Sequence, residues 1–378
     1  MKSNYKRLGD YIRQVDIRNQ DLAVDNLLGL SVSKVFMPSI ANTIGTDMSN
    51  YKVVKQRQFV YISDTSRRGD KIAIALLDKW DEAIVSAIYT VFEVADTDIL
   101  LPEYLMMWFR RPEFDRYARF KSHGSAREVF EWDEMCEVML PVPSIDEQRK
   151  IVAEYQAVER RIENNRRLIA TLESAAQTIY RQMFVDNIDP ENLPQGWRMG
   201  SLTDIAIYLN GAACQKYATT DSEYINVLKI KELGQGFIDD NSDRVSKEIP
   251  NSFIVNNNDL IFSWSATLLI DYWSGGVCAL NQHLFKVTPI NTPSWFVYFA
   301  TKSKIEDWKR VISAKATSMS HIKREDLENA TIIIPNNSDM IKCDNLIRPL
   351  MDMYCILKRE VIALSGTQNF LHSKLSKL

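Results

Sequence analysis

The stretch Leu140–Leu172 reads LPVPSIDEQRKIVAEYQAVERRIENNRRLIATL. Two prolines lead straight into an apolar pattern of helical period, in the middle of the chain. Ser144 suits an N-cap, and Glu147 stands where the return half of a capping box belongs. Asp146 places negative charge in the first turn, where the helix dipole favours it. Pro143 lies before the cap, where a missing N–H does no harm. Apolar positions then alternate by four and three: Ile151, Tyr155, Val158, Ile162, Asn165, Ile169, Leu172, Ala176, Ile179 and Met183. That is the seam of a coiled coil, and a buried polar member such as Asn165 fixes register at some cost in stability. The outer faces carry Arg149, Lys150, Arg160, Arg161, Arg166 and Arg167 among Glu154, Glu159 and Glu163. The helix is expected to end near Val185, at the Pro/Asn/Gly linker DNIDPENLPQGW.

A second passage, IIIPNNSDMIKCDNLIRPL at Ile332–Leu350, opens the same pattern near the end of the chain. Its seam is Cys343, Ile347, Leu350, Tyr354, Leu357, Val361, Leu364, Gln368, Leu371 and Leu375, with a bend or late start expected at Pro349. Two such seams most simply pack on each other, antiparallel if a two-fold relates two like halves. A helix of roughly 38 residues is about 55–60 Å long. That lies between one and two turns of B-DNA at about 34 Å each.

The segments around these helices repeat as well. RLGDYI at Arg7–Ile12 pairs with GSLTDIA at Gly200–Ala206, and LSVS at Leu30–Ser33 with LKIK at Leu228–Lys231, both read as alternating strands. VKQRQFVYIS at Val54–Ser63 pairs with VNNNDLIFSW at Val255–Trp264, and VSAIYTVFEV at Val85–Val94 with CALNQHLFKV at Cys278–Val287. LPEYLMMWF at Leu101–Phe109 pairs with TPSWFVYFA at Thr292–Ala300, and WDEMCEVMLPVP at Trp132–Pro143 with KREDLENATIIIP at Lys323–Pro335. Six matches in one order, at an offset near 195 residues, indicate a duplication. The expected class is α+β. It comprises two similar globules, mostly β with a few helices such as Pro102–Arg110 and Pro293–Arg310, held by two long antiparallel coiled-coil helices.

The chain is 378 residues long, with a formal net charge of −3, so any pull on nucleic acid must come from local charge. No run of about 18 apolar residues reads as a membrane span, and no apolar leader reads as a secretion signal. Five cysteines without a CxxC pair read as reduced thiols of a cytoplasmic protein. Four scattered histidines do not make a metal site, and no metal is expected. No phosphate loop, HExxH, Asn-Pro-Pro-Tyr methyltransferase box or clean PD…(D/E)xK start is present, so no catalytic residue is assigned.

Charge is concentrated in two places. Arg110–Arg127 holds six basic residues against two acids, and Lys302–Arg324 holds seven against two. Lys and Arg bind phosphate by releasing counterions, and small hydroxyl residues in loops can donate to phosphates or base edges. The candidate DNA-binding residues of the first half are Arg67, Arg68, Lys71, Arg119, Lys121, Ser122, Ser125 and Arg127. Those of the second half are Ser263, Trp264, Thr267, Gln282, Lys315, Thr317, Ser318 and Lys323. Arg67 and Arg68 suit bidentate contact to guanine, and Asn281 and Gln282 suit adenine.

The order globule, helix, globule, helix resembles the specificity subunits of type I restriction–modification enzymes. LPVPSIDEQRKIV at Leu140–Val152 resembles that family's lead-in to its first central helix. VSAIYTVF at Val85–Phe92, DLIFSWSAT at Asp259–Thr267 and LNQHLFKV at Leu280–Val287 resemble its target-recognition domains. The resemblance spans essentially the whole chain. It implies that each globule reads one half of a split double-stranded DNA target and that the helices Asp146–Met183 and Asp339–Leu375 form the spacer. It also implies that two methyltransferase subunits dock on the helices, that translocating nuclease subunits join that core, and that S-adenosylmethionine is bound by the partner. This chain would then hold no cofactor and perform no chemistry. Glu147, Gln148, Lys150, Arg160 and Arg167 become the candidate partner-binding residues. The lead-in PNNSDMIKCDN of the second helix departs by lacking Glu-Gln.

The expected boundaries are 1–143 and 200–337 for the two target-recognition domains, 144–185 and 338–378 for the helices, and 186–199 for the linker. Alternatives are a recognition subunit of another restriction–modification type and a coiled-coil protein scaffold. A scaffold would show no sequence-specific, steeply salt-dependent DNA retention.

Overall fold

A computed structural model describes residues 5–40, 45–65, 68–123, 128–186, 188–314 and 322–376. It is mixed helix and sheet and divides into two compact units. One comprises Met1–Arg160 with Gly366–Leu378, the other Arg161–Ser365.

In the first unit a four-stranded antiparallel sheet runs in the order Ile12–Val15, Thr90–Val94, Phe59–Ile62, Ala73–Leu76. The run Phe59-Val60-Tyr61-Ile62 is apolar throughout because both faces of the sheet are covered. Phe59, Tyr61, Ile74 and Phe92 face a core with the helix Pro102–Phe109, while Val60, Ile62, Ala73 and Val91 face a second core. Phe59 and Phe92 stack at 4.8 Å, with Phe109 edge-on to Phe59 at 5.7 Å. Strand Tyr5–Arg7 pairs with Met139–Pro141, tying the start of the chain to the segment before the first long helix.

In the second unit the same order recurs: Ala206–Asn210, Leu284–Pro289, Leu260–Ser263, Leu269–Tyr272. Arg198–Ser201 pairs with Thr331–Ile334 as the first and last strands of the earlier unit do. Arg57 and Asn258, at corresponding turns, both adopt positive φ, 66° and 71°. The duplication is therefore present in strand order and turn geometry.

One expected strand pair is shorter than its sequence match. Regular pairing ends at Leu30 and at Leu228. Lys229 then caps the helix Ile230–Gln235, its N–H donating to Glu232 Oε2 at 3.1 Å. Helical spacing of Ile230 and Leu233 overrides the alternation that LKIK suggests.

The long helices span Ile145–Phe184 and Asn337–Leu375. Ser144 Oγ accepts from the Glu147 N–H at 3.4 Å, as an N-cap does. Tyr155 meets Gln368 within the first unit, and Arg161 meets Glu360 within the second, so advancing on one helix retreats on the other. Two seam details differ from the heptad reading. Met183 is exposed, and Tyr180 and Phe184 are buried instead. Tyr180 stacks on Phe299 at 5.5 Å and Phe184 meets Phe296 at 5.5 Å, so the second globule's aromatic core sets the last two turns. The helix also runs unbroken through Pro349. Cys343, Ile347 and Met351 bury the turns on either side, and the carbonyl of Asn345, which the missing N–H of Pro349 leaves without its helical donor, lies on an exposed residue.

Candidate nucleic-acid interface and helix faces

In the first unit the loop after Phe59–Ile62 and the segment after helix Pro112–Lys121 are laced together. The Thr65 N–H donates to Glu128 O at 3.1 Å, the Phe130 N–H donates to Ser63 O at 2.8 Å, and Asp64 bridges Val129. Thr65 Oγ1 donates to Ser122 Oγ at 2.9 Å, and Ser122 Oγ donates to Ala118 O at 2.6 Å. Ser122 is thus a buried brace, and its hydroxyl is not offered to a ligand. The Asp70–Arg119 ion pair and the Ile72 N–H, donating to Asp115 Oδ1 at 3.2 Å, hold the segment from Arg68 to Ile72 against helix Pro112–Lys121, and Lys71 lines a cleft with Lys34, Arg110 and Glu159.

Charge there is less bare than the sequence suggests. Arg119 holds Asp70 at 2.7 Å and Glu128 at 2.5 Å, and Lys121 holds Glu134 at 3.1 Å. Hydrogen bonding to these carboxylates raises both cations above their ordinary pKa. Arg68 is half-buried with Nε unpartnered, and Lys71 is exposed with no carboxylate partner among the described residues. Arg67, Ser125 and Arg127 lie outside the described residues.

In the second unit three loops distant in sequence converge. The Ile322 N–H donates to Trp264 O at 3.0 Å, which sets Lys323 beside the tryptophan. Trp264 packs against His283 and Phe285, each at 5.9 Å, and Gln282 Nε2 lies 3.5 Å from His283 Nε2. Trp264 and Lys323 line an open cleft of roughly 620 Å³ with Tyr208, Phe285 and Arg324. Thr267 is exposed nearby in sequence. Ser263 is fully buried, its hydroxyl donating to Ser265 O at 3.3 Å. Asn281 is also buried and accepts from the His283 N–H at 3.2 Å, which shapes the loop. Gly211 backs this loop, and a Cβ there would meet Asn281 O at 2.2 Å, so only glycine fits. Lys315, Thr317 and Ser318 lie outside the described residues.

Sequence reasoning missed Tyr208, Phe285 and Arg324. The available signal was AIYLN at Ala206–Asn210, an edge strand whose Ile207 is 56% exposed, while Tyr208 turns to the aromatic cluster.

On the first long helix Glu147, Lys150, Arg160 and Arg167 are exposed, but Gln148 is not. Gln148 is 0% exposed. Its Nε2 donates to Ile99 O at 2.8 Å and Pro143 O at 2.9 Å, and its Oε1 accepts from the Leu101 N–H at 2.9 Å. The expectation that Gln148 contacts a partner is corrected: every polar atom is spent fixing the helix start to the chain entering helix Pro102–Phe109. On the second long helix Leu346, Pro349, Met353 and Ile356 form an exposed apolar stripe at three–four–three spacing. A reading with one seam per helix does not reveal this second stripe.

None of the described helices is long and apolar enough to cross a membrane, and no metal-binding cluster occurs among the described residues. Burial pushes the Cys355 thiol up to about 11, so it stays protonated near neutrality.

The model of the "Type I restriction modification DNA specificity domain" family matches residues 194–340. The chain is 25% identical over 306 residues to the type I restriction enzyme MjaIX specificity subunit of Methanocaldococcus jannaschii, covering 74% of this chain and 69% of that protein. It is 25% identical over 190 residues to the type I restriction enzyme HindI specificity subunit of Haemophilus influenzae, covering 48% and 40%. The solved S subunit of a type I restriction–modification system from M. genitalium aligns over 98% of this chain and 95% of that one, with TM-score 0.60 at 12% identity. That last likeness bears on the fold alone. Residues 194–340 thus carry the type I restriction–modification DNA specificity domain, and the chain, with two copies of one sheet order and paired long helices, is similar to the specificity subunits of type I restriction enzymes.

Proposed function

We propose that the chain reads a bipartite double-stranded DNA target, one half-site per globule, with the antiparallel helices as spacer. Two methyltransferase subunits dock on the helices, and translocating nuclease subunits join through that core. Adenine methylation then uses S-adenosylmethionine held by the partner, and this chain supplies sequence choice without a cofactor.

The observation that carries this reading is the repeated sheet order, which supplies two readers of one architecture on one chain. Lys71 and Arg68 in the first globule, and Trp264, Gln282 and Lys323 in the second, are the residues best placed to meet DNA. Arg119 and Lys121 require phosphate to displace their carboxylates. Exposed Glu147, Lys150 and Arg160 in the first unit, and separately Arg167 and the apolar stripe Leu346, Met353 and Ile356 in the second, supply helix surface of the kind that protein partners cover.

The test is long-read mapping of methylated adenines in cells expressing the chain with its methyltransferase. The expected motif has two short specified parts and a fixed unread gap. Inserting one or two helical turns at Arg160–Arg166 should lengthen that gap and keep both parts. An unchanged gap refutes the spacer role.

A further inference from the structure

Within the second unit, six polar side chains link the globule to the helices. Glu173 of the first long helix accepts from the Tyr298 hydroxyl and from the Lys302 ammonium, both on helix Ser294–Ala314. Asp271, in strand Leu269–Tyr272, accepts from Tyr354 Oη at 2.8 Å and Lys358 Nζ at 2.6 Å, both on the second long helix. Lys358 Nζ also donates to Tyr272 O at 2.8 Å. Tyr298 and Tyr354 neighbour each other at the centre, 2% and 4% exposed.

The arrangement is crossed. A helix carboxylate is held by globule donors, and a globule carboxylate is held by helix donors. Apolar contact alone is non-directional and tolerates sliding. A carboxylate three-quarters or more buried does not, because leaving its donors strands a charge in a poorly solvated place. The two carboxylates grip different helices, so both shift and rotation of the globule are opposed.

The first unit is joined otherwise. Arg110 of the globule donates to Tyr155 Oη at 3.0 Å and to the half-exposed Glu159 at 2.8 Å. There, among the described residues, no globule carboxylate is held by a helix cation.

We propose that the crossed pair Glu173/Tyr298/Lys302 and Asp271/Tyr354/Lys358 is a specificity-determining device, which fixes the second reader on its spacer and so sets how strictly gap length is enforced. These are positioning residues, and the inference rests on the bipartite reading above.

The experiment uses the assembled complex of the full chain with its methyltransferase. The substrates are duplexes whose two half-sites are separated by the natural gap or by one base pair more or less. Wild type should prefer the natural gap strongly. Tyr354→Phe with Lys358→Met should cut that preference by about tenfold while methylation at the natural gap persists, and Lys358→Arg should restore it. A general loss of stability would lower methylation at all gaps alike. Asp271→Asn keeps the side-chain shape and serves where the double variant does not assemble. Unchanged gap preference in Asp271→Asn overturns the device and leaves the bipartite reading standing. A wild-type complex without any two-part motif overturns that reading, and the device with it.

Discussion

Gln148→Ala separates a structural from a docking role at the helix start. The substitution strips three partners at once: Ile99 O, Pro143 O and the Leu101 N–H, all within 2.9 Å of the amide. Leaving a buried polar group unmatched costs about 1–3 kcal/mol each. A water entering the vacated space recovers part of this, so a total of roughly 3–4 kcal/mol is expected. That is a large share of the roughly 5–15 kcal/mol by which a domain is stable. At a slope of about 2–3 kcal/mol/M, the urea midpoint of the first unit should fall by roughly 1–2 M. Hydrogen exchange at the Leu101 amide should accelerate in step, while exchange in the second globule stays unchanged. A Gln148→Ala chain with wild-type urea midpoint that no longer retains its methyltransferase would refute the structural assignment and restore the docking one.

Three further outcomes follow from the same geometry. Asn165 is 1% exposed, with Nδ2 off good hydrogen-bonding geometry to Glu360, so Asn165→Leu should raise the melting temperature and relax register, detectable by disulfide trapping between the helices. His372 is buried against Tyr155, and burial with Arg110, Arg111 and Lys34 near it depresses its pKa to about 4. An unfolded histidine binds its proton near 6.5, so stability present above that pH is lost as pH falls towards 4, by up to roughly 3 kcal/mol. His372→Phe should flatten that part of the urea-midpoint profile, and an identical slope in the variant counts against the burial. Lys71→Ala and Lys323→Ala should each weaken DNA binding evenly across sequences and lower the salt slope by about one; a slope unchanged in both removes them from the phosphate contacts.

Much of the architecture is readable before folding because it is periodic. Ile151 to Ala176 repeats by four and three, and that spacing alone dictates a helix with one wet and one dry side. The order of six matched segments carries the duplication in the same way, since a β-turn such as Arg57 or Asn258 is a local event. Folding decides what pairs across distance. Asp70 lies 49 residues from Arg119 and Glu173 lies 129 residues from Lys302, and only the closed fold brings them within an ion pair's reach. The same holds for Gln148, whose polar head the sequence offers to any partner until Ile99 and Leu101 close over it. Tyr180 and Phe184 take the place of Met183 because Phe296 and Phe299 of the neighbouring globule pack on them. Local spacing is a property of the chain, whereas burial and charge pairing belong to surfaces that do not exist until the chain has folded.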